Sequence, residues 1–435
     1  MNDSASFTRS EQERDQRQRP PIRVAQLVTS LASGGAQATV LDSVDMADQP
    51  IEVTVLAGCP GGDRESTLWD DPRLAGVEVI EVPRLVRAVS PINDVLALLW
   101  LVRWLRRTRP DVLHTHSSKA GVVGRIAAAL AGIPCAHTVH GWGPLHATNR
   151  YGAAMALLIE RRLASICSAI VVVGGNDLRR GLAQGIGSPG RYRVIRSGVE
   201  TSIGASSAVD RHMVRAELGL GLDAGADRYV IGMVARMAYP KDHLTLIEAF
   251  RLADIDNSEL VLIGDGPNRT VVEQAVAAAE MGERIRLLGQ RTDAARLVGG
   301  FDLAVLSSLW EGMPRSVVEA VAASVPVVAC DVGNIGDLLQ DGVSGRLVPP
   351  GDAEALAAVF VDSHKRQMIY QDMAAVAARR INEFSADKMR HDLATLWLEL
   401  ASADRPAVEV EPSNRTAHDR VRGPAGRQRP SILQR

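Results

Sequence analysis

At 435 residues the chain exceeds one ordinary core and fits two α/β domains. Its 46% hydrophobic residues, 4% aromatics and formal charge of −2 describe a globular protein and argue against a nucleic-acid partner. Four scattered cysteines, Cys59, Cys135, Cys167 and Cys330, form no CxxC, which argues against disulfides or structural zinc and for a reducing, cytoplasmic home.

Residues 1–20 carry four Arg against four acids and no apolar signal-peptide core, so a disordered tail is expected. Residues 23–28 read as the first strand, stopped by Ser33-Gly34-Gly35, with a helix from Ala36. Gly34 and Gly35 let a ligand approach backbone closely, although a plain tight turn accounts for them equally well. No GxGxxG is present, so a nicotinamide cofactor is unsupported.

Strands follow at 52–56 and 77–82, then an apolar helical run at 95–102, far short of the ~20 residues that span a bilayer. Arg103, Arg106, Arg107 and Arg109 cluster at its C-terminal end. One reading buries this helix against the sheet, its arginines satisfying terminal carbonyls. The other rests Trp100, Trp104 and the arginines on an anionic membrane, at its inner face.

A strand at 111–114 leads into His114-Thr-His116-Ser-Ser-Lys119. His114 and His116 share a strand face, but no nearby Cys or acid completes a metal site. A helix is expected at 122–130, strands at 135–139 and 169–173, and His140-Gly141-Trp142-Gly143 follows the first of these. His140 is placed either to touch a sugar hydroxyl or developing positive charge, or simply as a structural histidine.

Residues 201–227 read as a linker with one short helix. A second alternation then gives strands at 229–234, 260–263, 285–288, 303–306, 325–329 and 345–348. The chain is therefore expected to hold two Rossmann-like, doubly wound domains, 21–200 and 228–385, facing a cleft. A helix at 386–400 is expected to pack back on the first, and 403–435 to be a second disordered tail.

Arg236 and Lys241 follow the first strand of the second half, where two cations can neutralise a diphosphate leaving group. Only four of the 49 basic residues are lysines, so Lys241 hints that a compact point charge is wanted there. Gly264-Asp265-Gly266-Pro267 either shapes a nucleotide pocket or makes a turn. The sole Asp-x-Asp, at 254–256, precedes a strand and reads as a surface turn.

Residues 311–319, Glu-Gly-Met-Pro-Arg-Ser-Val-Val-Glu, place two carboxylates across the opening of a helix with Pro314 at its first position. Gly312 and the first free amides suit an anion, and Glu311 and Glu319 suit hydroxyls, which together describe a nucleotide sugar. An ordinary capped helix with a solvated acid at each end reads the same residues.

In this order and spacing the motifs resemble the retaining GT-B glycosyltransferases of family 4, group 1 type, over residues 22–400. The matching pieces are Ser33-Gly-Gly-Ala36, His114 to Gly121, Thr138-Val-His140-Gly141, Arg236 with Lys241, and Gly264 to Pro267. Further matches are Glu311 to Ala320, Asp341 to Gly345 and Val348 to Asp352.

The resemblance implies that Glu311 holds donor-sugar hydroxyls, Glu319 the ribose, and Arg236 and Lys241 the departing diphosphate. It places Gly34, Gly35, Gly264, Gly266, Gly312, Met313, Pro314 and Arg315 at the donor, and His140 beside the sugar. His116 and Lys119 fall on the acceptor side. The family works without metal or cofactor. Its members with similar early motifs build surface polysaccharides on polyprenyl-linked or other glycan acceptors. Two departures stand out: Arg196-Ser-Gly198 replaces the usual Pro-Asn-Gly, and Gly333-Asn-Ile-Gly-Asp337 replaces Gly-Gly-Ile-Pro-Glu.

Two other functions fit a two-domain cleft. A nucleotide-sugar epimerase needs acid/base carboxylates near C2 of the sugar, whereas this chain offers cations beside the diphosphate. A silent nucleotide-sugar sensor does not need Arg236, Lys241, Glu311 and Glu319 together.

Overall fold

The computed structural model describes residues 20–403 apart from 33, 47, 59–67, 147–149, 202–210 and 220–227. Both expected tails, apart from Pro20 and Ala403, together with Ser33, Cys59 and most of the linker, lie outside the described residues. Within the linker, Arg211–Glu217 forms a helix.

Strands β1 (Ile22–Val28), β2 (Ile51–Gly58), β3 (Glu78–Val82), β4 (Val112–His116), β5 (Cys135–Val139), β6 (Ala169–Val172) and β7 (Tyr192–Val194) make one sheet. Its order is β3-β2-β1-β4-β5-β6-β7, parallel throughout. A second parallel sheet holds β8 (Tyr229–Val234), β9 (Ser258–Ile263), β10 (Ile285–Leu287), β11 (Leu303–Leu306), β12 (Val327–Cys330) and β13 (Arg346–Val348). Its order is β10-β9-β8-β11-β12-β13.

Helices cover both faces of each sheet, so the inner strands are expected to be largely apolar on both sides. Ala169-Ile-Val-Val172 and Leu303-Ala-Val-Leu306 are, and every residue of both is buried. Strand order reverses beside β1 in one sheet and beside β8 in the other. Ligand crevices are therefore expected beyond the carboxyl ends of β1/β4 and β8/β11.

The last helix, Ala386–Ala403, returns to the first sheet. Met389, Leu393, Leu396 and Trp397 recur at helical spacing and pack on Val24, Val112, Ala136 and Val171. Trp397 is fully buried and its Nε1 donates to His114 Nδ1 at 3.1 Å.

Helix Pro91–Thr108 buries only one stripe, Ala97, Leu101 and Leu105, while Leu98, Trp100, Val102 and Trp104 pack partly against the core. Ile92, Val95, Leu96 and Leu99 remain 76%, 54%, 45% and 61% exposed. The expectation that its own arginines satisfy its terminal carbonyls needs correction. Arg23 from β1 donates to the carbonyls of Thr108 and Arg109, and Arg106 instead reaches the Leu130 carbonyl of the next helix.

Candidate active site

The two sheets present their carboxyl ends to a shared cleft of about 940 Å³. Gly34, Gly35, Lys119, Thr138, His140 and Trp142 line it from one side. Arg236, Lys241, Glu311, Gly312, Met313, Pro314 and Arg315 line it from the other.

Lys241 and Glu311 form an ion pair there, with side chains 22% and 11% exposed. Their loops are tied together below it. Ser307 Oγ lies 3.1 and 2.9 Å from the carbonyls of Lys241 and Asp242, and Leu309 N donates to the Pro240 carbonyl at 2.9 Å. Arg236 lines the same wall, and its guanidinium has no hydrogen-bond or ion-pair partner among the described residues.

Gly264 and Gly266 stand behind this wall. A Cβ on Gly264 would come 2.0 Å from the Ala235 carbonyl oxygen, and one on Gly266 2.5 Å from that of Met237. Met237 N donates to the Asp265 carbonyl at 2.9 Å, and Asn268 N to that of Met237 at 2.9 Å. The glycines thus let one loop lie flat against the loop that carries Arg236, and neither lines the cleft.

Helix Arg315–Ala322 opens beside Glu311. Pro314 is its capping residue in extended conformation (φ −74°, ψ 113°), not its first helical residue as the sequence suggests. The Val317 amide donates to the Pro314 carbonyl at 3.2 Å, so that register leaves the amides of Arg315 and Ser316 without an intrahelical partner at the end of the helix that meets the cleft. Glu319 lies on the same helix, a turn beyond Arg315 and outside the cleft lining. Burial pushes its pKa above the ordinary carboxylate value, opposed by the Arg315 cation.

Arg315 turns toward the other domain. It pairs with Asp42 Oδ2 at 2.7 Å and donates to the Gly198 carbonyl at 2.6 Å. Asp42 is buried at the end of helix Gly35–Asp42 and also pairs with Arg73 at 2.5 Å. Gly34 caps that helix, and a Cβ on Gly35 would first meet Arg315 Cδ at 4.0 Å.

Lys119 lines the cleft but is engaged, pairing with Asp94 at 2.5 Å and donating to the Ala88 carbonyl. His116 is a correction. It is fully buried and does not line the cleft, so it offers an acceptor no surface. Its Nδ1 lies 3.1 Å from His140 Nε2, and its Nε2 lies 3.1 Å from Gln26 Oε1. His114 packs against it with ring centroids 4.4 Å apart. Burial lowers all these imidazoles: His114 to about 3, His140 to about 4, and His116 well below its ordinary value. Among the described residues no three His, Cys, Asp or Glu side chains converge as a metal site.

The departure at Asn334 closes the seam between the domains. Its Oδ1 accepts from the amides of Asn176 and Asp177 at 3.0 and 3.1 Å, capping helix Gly175–Ala183 from the opposite domain. Its Nδ2 donates to Asp177 Oδ2 at 2.6 Å and to the Gly312 carbonyl at 3.2 Å. Asp337 Oδ2 accepts the Gly175 amide at 2.6 Å. Asn334 is fully buried and outside the cleft lining, so in this chain the segment holds domain to domain. Sequence reasoning marks Asn334 only as an anomaly, and passes over Asp42, Asp177 and Gln26.

Residues 33–203 match a family model described as Glycosyltransferase Family 4, and residues 228–364 one described as Glycosyl transferases group 1. The UDP-Gal:alpha-D-GlcNAc-diphosphoundecaprenol alpha-1,3-galactosyltransferase of Escherichia coli is 30% identical over 292 residues, 66% of this chain and 74% of that protein. The 2-deoxystreptamine N-acetyl-D-glucosaminyltransferase of Streptomyces fradiae is 27% identical over 392 residues, 83% and 90% of the two chains. The crystal structure of Anabaena Alr3699/HepE with UDP-glucose shares the fold at a TM-score of 0.73 and 22% identity, covering 87% of this chain and 100% of that one. With both sheets matched and this degree of likeness to the Escherichia coli enzyme, the chain belongs to the family 4, group 1 glycosyltransferases of GT-B fold.

Proposed function

We propose that this glycosyltransferase moves a sugar from a nucleoside-diphosphate sugar to a polyprenyl-linked or other glycan acceptor, retaining anomeric configuration and using no metal. The observation that carries this reading is the Lys241–Glu311 ion pair with Arg236 beside it in the interdomain cleft. Negative charge gathers on the diphosphate as its bond to the anomeric carbon lengthens. Arg236 and Lys241 are placed to stabilise it, in the role a metal ion fills elsewhere. Glu311, pre-oriented by Lys241, accepts hydrogen bonds from the sugar hydroxyls, and Glu319 accepts those of the ribose. The amides of Gly34, Gly35 and the first turn after Pro314 approach the phosphates.

The relatives support the substrate classes. Alr3699/HepE was solved with UDP and with UDP-glucose, and the Escherichia coli relative is named for a diphosphoundecaprenol acceptor. A lipid-linked acceptor also agrees with the apolar flank of the cleft, where Val89, Val122, Val123 and Ile159 line it. Such an acceptor implies work at the inner face of a membrane, in polysaccharide or glycoconjugate synthesis. Among the described residues no helix is long and apolar enough to cross one.

UDP-, GDP- and ADP-sugars screened for protection against thermal unfolding identify the donor, since a bound ligand stabilises the native state by mass action. The selected donor is then offered with polyprenyl-diphosphate sugars, and the anomeric configuration of the product is read by NMR. A retained, acceptor-linked glycoside is expected. Nucleotide release without an acceptor-linked product, or an inverted linkage, overturns the proposal.

A further inference from the structure

Behind His140 the buried polar groups form a single file. Gln26, His116 and His140 come from β1, β4 and the end of β5, three adjacent strands of the first sheet. Gln26 and His116 are fully buried, so their hydrogens must go to one another and to the few polar atoms around them.

The directions can be worked out from the inner end. Gln26 Nε2 lies 3.1 Å from Ser43 Oγ and 3.5 Å from the Ser43 carbonyl, which can only accept. Ser43 Oγ itself donates to the Val40 carbonyl at 2.8 Å, and it also lies 3.2 Å from Gln26 Oε1. The amide nitrogen therefore faces Ser43, and Oε1 is the atom turned to His116 Nε2 at 3.1 Å.

An amide oxygen only accepts, so His116 Nε2 carries the hydrogen. His116 is neutral, because burial holds its pKa well below the ordinary value, and its Nδ1 is thus a lone pair. That lone pair faces His140 Nε2 at 3.1 Å, which must then carry a hydrogen. His140 is neutral too, with its pKa lowered to about 4 by burial. Its second nitrogen, Nδ1, is left as a bare acceptor. His140 lines the cleft, and Nδ1 has no hydrogen-bond partner among the described residues.

We infer that Gln26 and His116 are positioning residues that lock His140 as its Nε2–H tautomer, so that the cleft receives an imidazole lone pair that reads a substrate hydroxyl. This rests on the proposed function for the nature of the substrate, not for the tautomer. The opposite tautomer would present an N–H, which suits a phosphate oxygen and leaves a hydroxyl hydrogen unmatched. A neutral acceptor instead rewards a hydroxyl and is repelled by the diphosphate. The lock thereby sorts the sugar end of the donor, or the acceptor hydroxyl, from the phosphate end.

The test is ¹⁵N-histidine NMR on the full chain, with His140 assigned by a His140→Gln variant, and needs no turnover. At neutral pH the His140 Nδ1 resonance should be that of an unprotonated nitrogen and Nε2 that of a protonated one. His116→Leu removes the acceptor and should shift His140 toward Nδ1–H or a mixture, with kcat down at least tenfold and donor KM within threefold. Gln26→Leu should move both readouts in the same direction. His116→Asn keeps an acceptor oxygen near the Nδ1 position and should retain the wild-type tautomer and most of kcat. An Nδ1–H or doubly protonated His140 in the wild type overturns the inference. So does His116→Leu with unchanged tautomer and unchanged kcat. A correct tautomer in a chain that transfers no sugar from any donor faults the proposed function and upholds the lock.

Discussion

Lys241 and Glu311, seventy residues apart in the chain, meet as an ion pair because Ser307 and Leu309 bind the two loops together beneath them. The pair is poised. A Lys held by one carboxylate can lean toward a diphosphate as its charge grows, and the Arg236 guanidinium, with no partner of its own among the described residues, can do the same. Lys241→Ala or Arg236→Ala should therefore lower kcat far more than it weakens donor binding, by ~10²–10³ for each lost donor. Steady-state kinetics beside a donor-binding isotherm decide it. A drop of tenfold or less in both variants, with folding intact, would remove the two cations from the reaction.

The two carboxylates should separate kinetically. Glu311 lines the cleft against Lys241, whereas Glu319 lies along the helix, largely buried and outside the lining. Glu319→Ala should chiefly raise donor KM, because a ribose contact is worth the same in ground and transition states. Glu311→Ala should depress kcat as well. Matching kinetic profiles for the two variants would refute this division. Wild-type activity should also survive EDTA, and full loss restored by Mn²⁺ or Mg²⁺ would refute metal independence.

What the sequence made legible follows from physics. Parallel strands covered on both faces favour continuous apolar runs, and central strands such as Ala169–Val172 and Leu303–Leu306 stand out as such. The strand that escapes notice, Tyr192-Arg-Val194, is three residues long, lies at a sheet edge and leaves Arg193 exposed. Cleft residues follow strand ends and carry unusual charge, so they can be found one at a time. Their partners cannot. Gln26 and His140 join through His116, Asn334 and Asp177 join across 157 positions, and no periodicity encodes either link. His116 reads as a cleft residue from its place at a strand end, yet the strand carries its ring inward.

The seam at Asn334 has a pH signature. Burial raises the Asp177 pKa to about 6 from an ordinary 3.8, opposed by the hydrogen bond from Asn334. Between those values the folded chain keeps a proton that the unfolded chain has released. The contribution of Asp177 to stability should thus fall as pH rises from about 4 to 6 and stay level above. The full shift corresponds to a cost on the order of 3 kcal/mol. Asp177→Asn retains an acceptor for Asn334 and cannot ionise, so urea titrations from pH 4 to 7 should show it gaining on the wild type across that window. Parallel stability curves would show that Asp177 is already ionised at pH 4.

The exposed stripe of helix Pro91–Thr108 gives the last prediction. Ile92, Val95, Leu96 and Leu99 face outward, and Arg103, Arg106 and Arg107 continue from them, also exposed. The helix begins beside the cleft, since Val89 and Asp94 both line it. Contiguous exposed apolar patches commonly mark an interaction or membrane-contact site. Seated on an anionic leaflet, the aliphatic residues would lose water while each arginine added ~1 kcal/mol of salt-sensitive attraction. The cleft mouth would then meet a polyprenyl-linked acceptor at the height of its diphosphate. Wild type should sediment with anionic vesicles at low salt and be released at high salt. Arg103/Arg106/Arg107→Gln should stay largely in the supernatant, and Leu96/Leu99→Ser should bind weakly at either salt. Equal partitioning of all three proteins on anionic vesicles at low salt would leave the stripe without a membrane role.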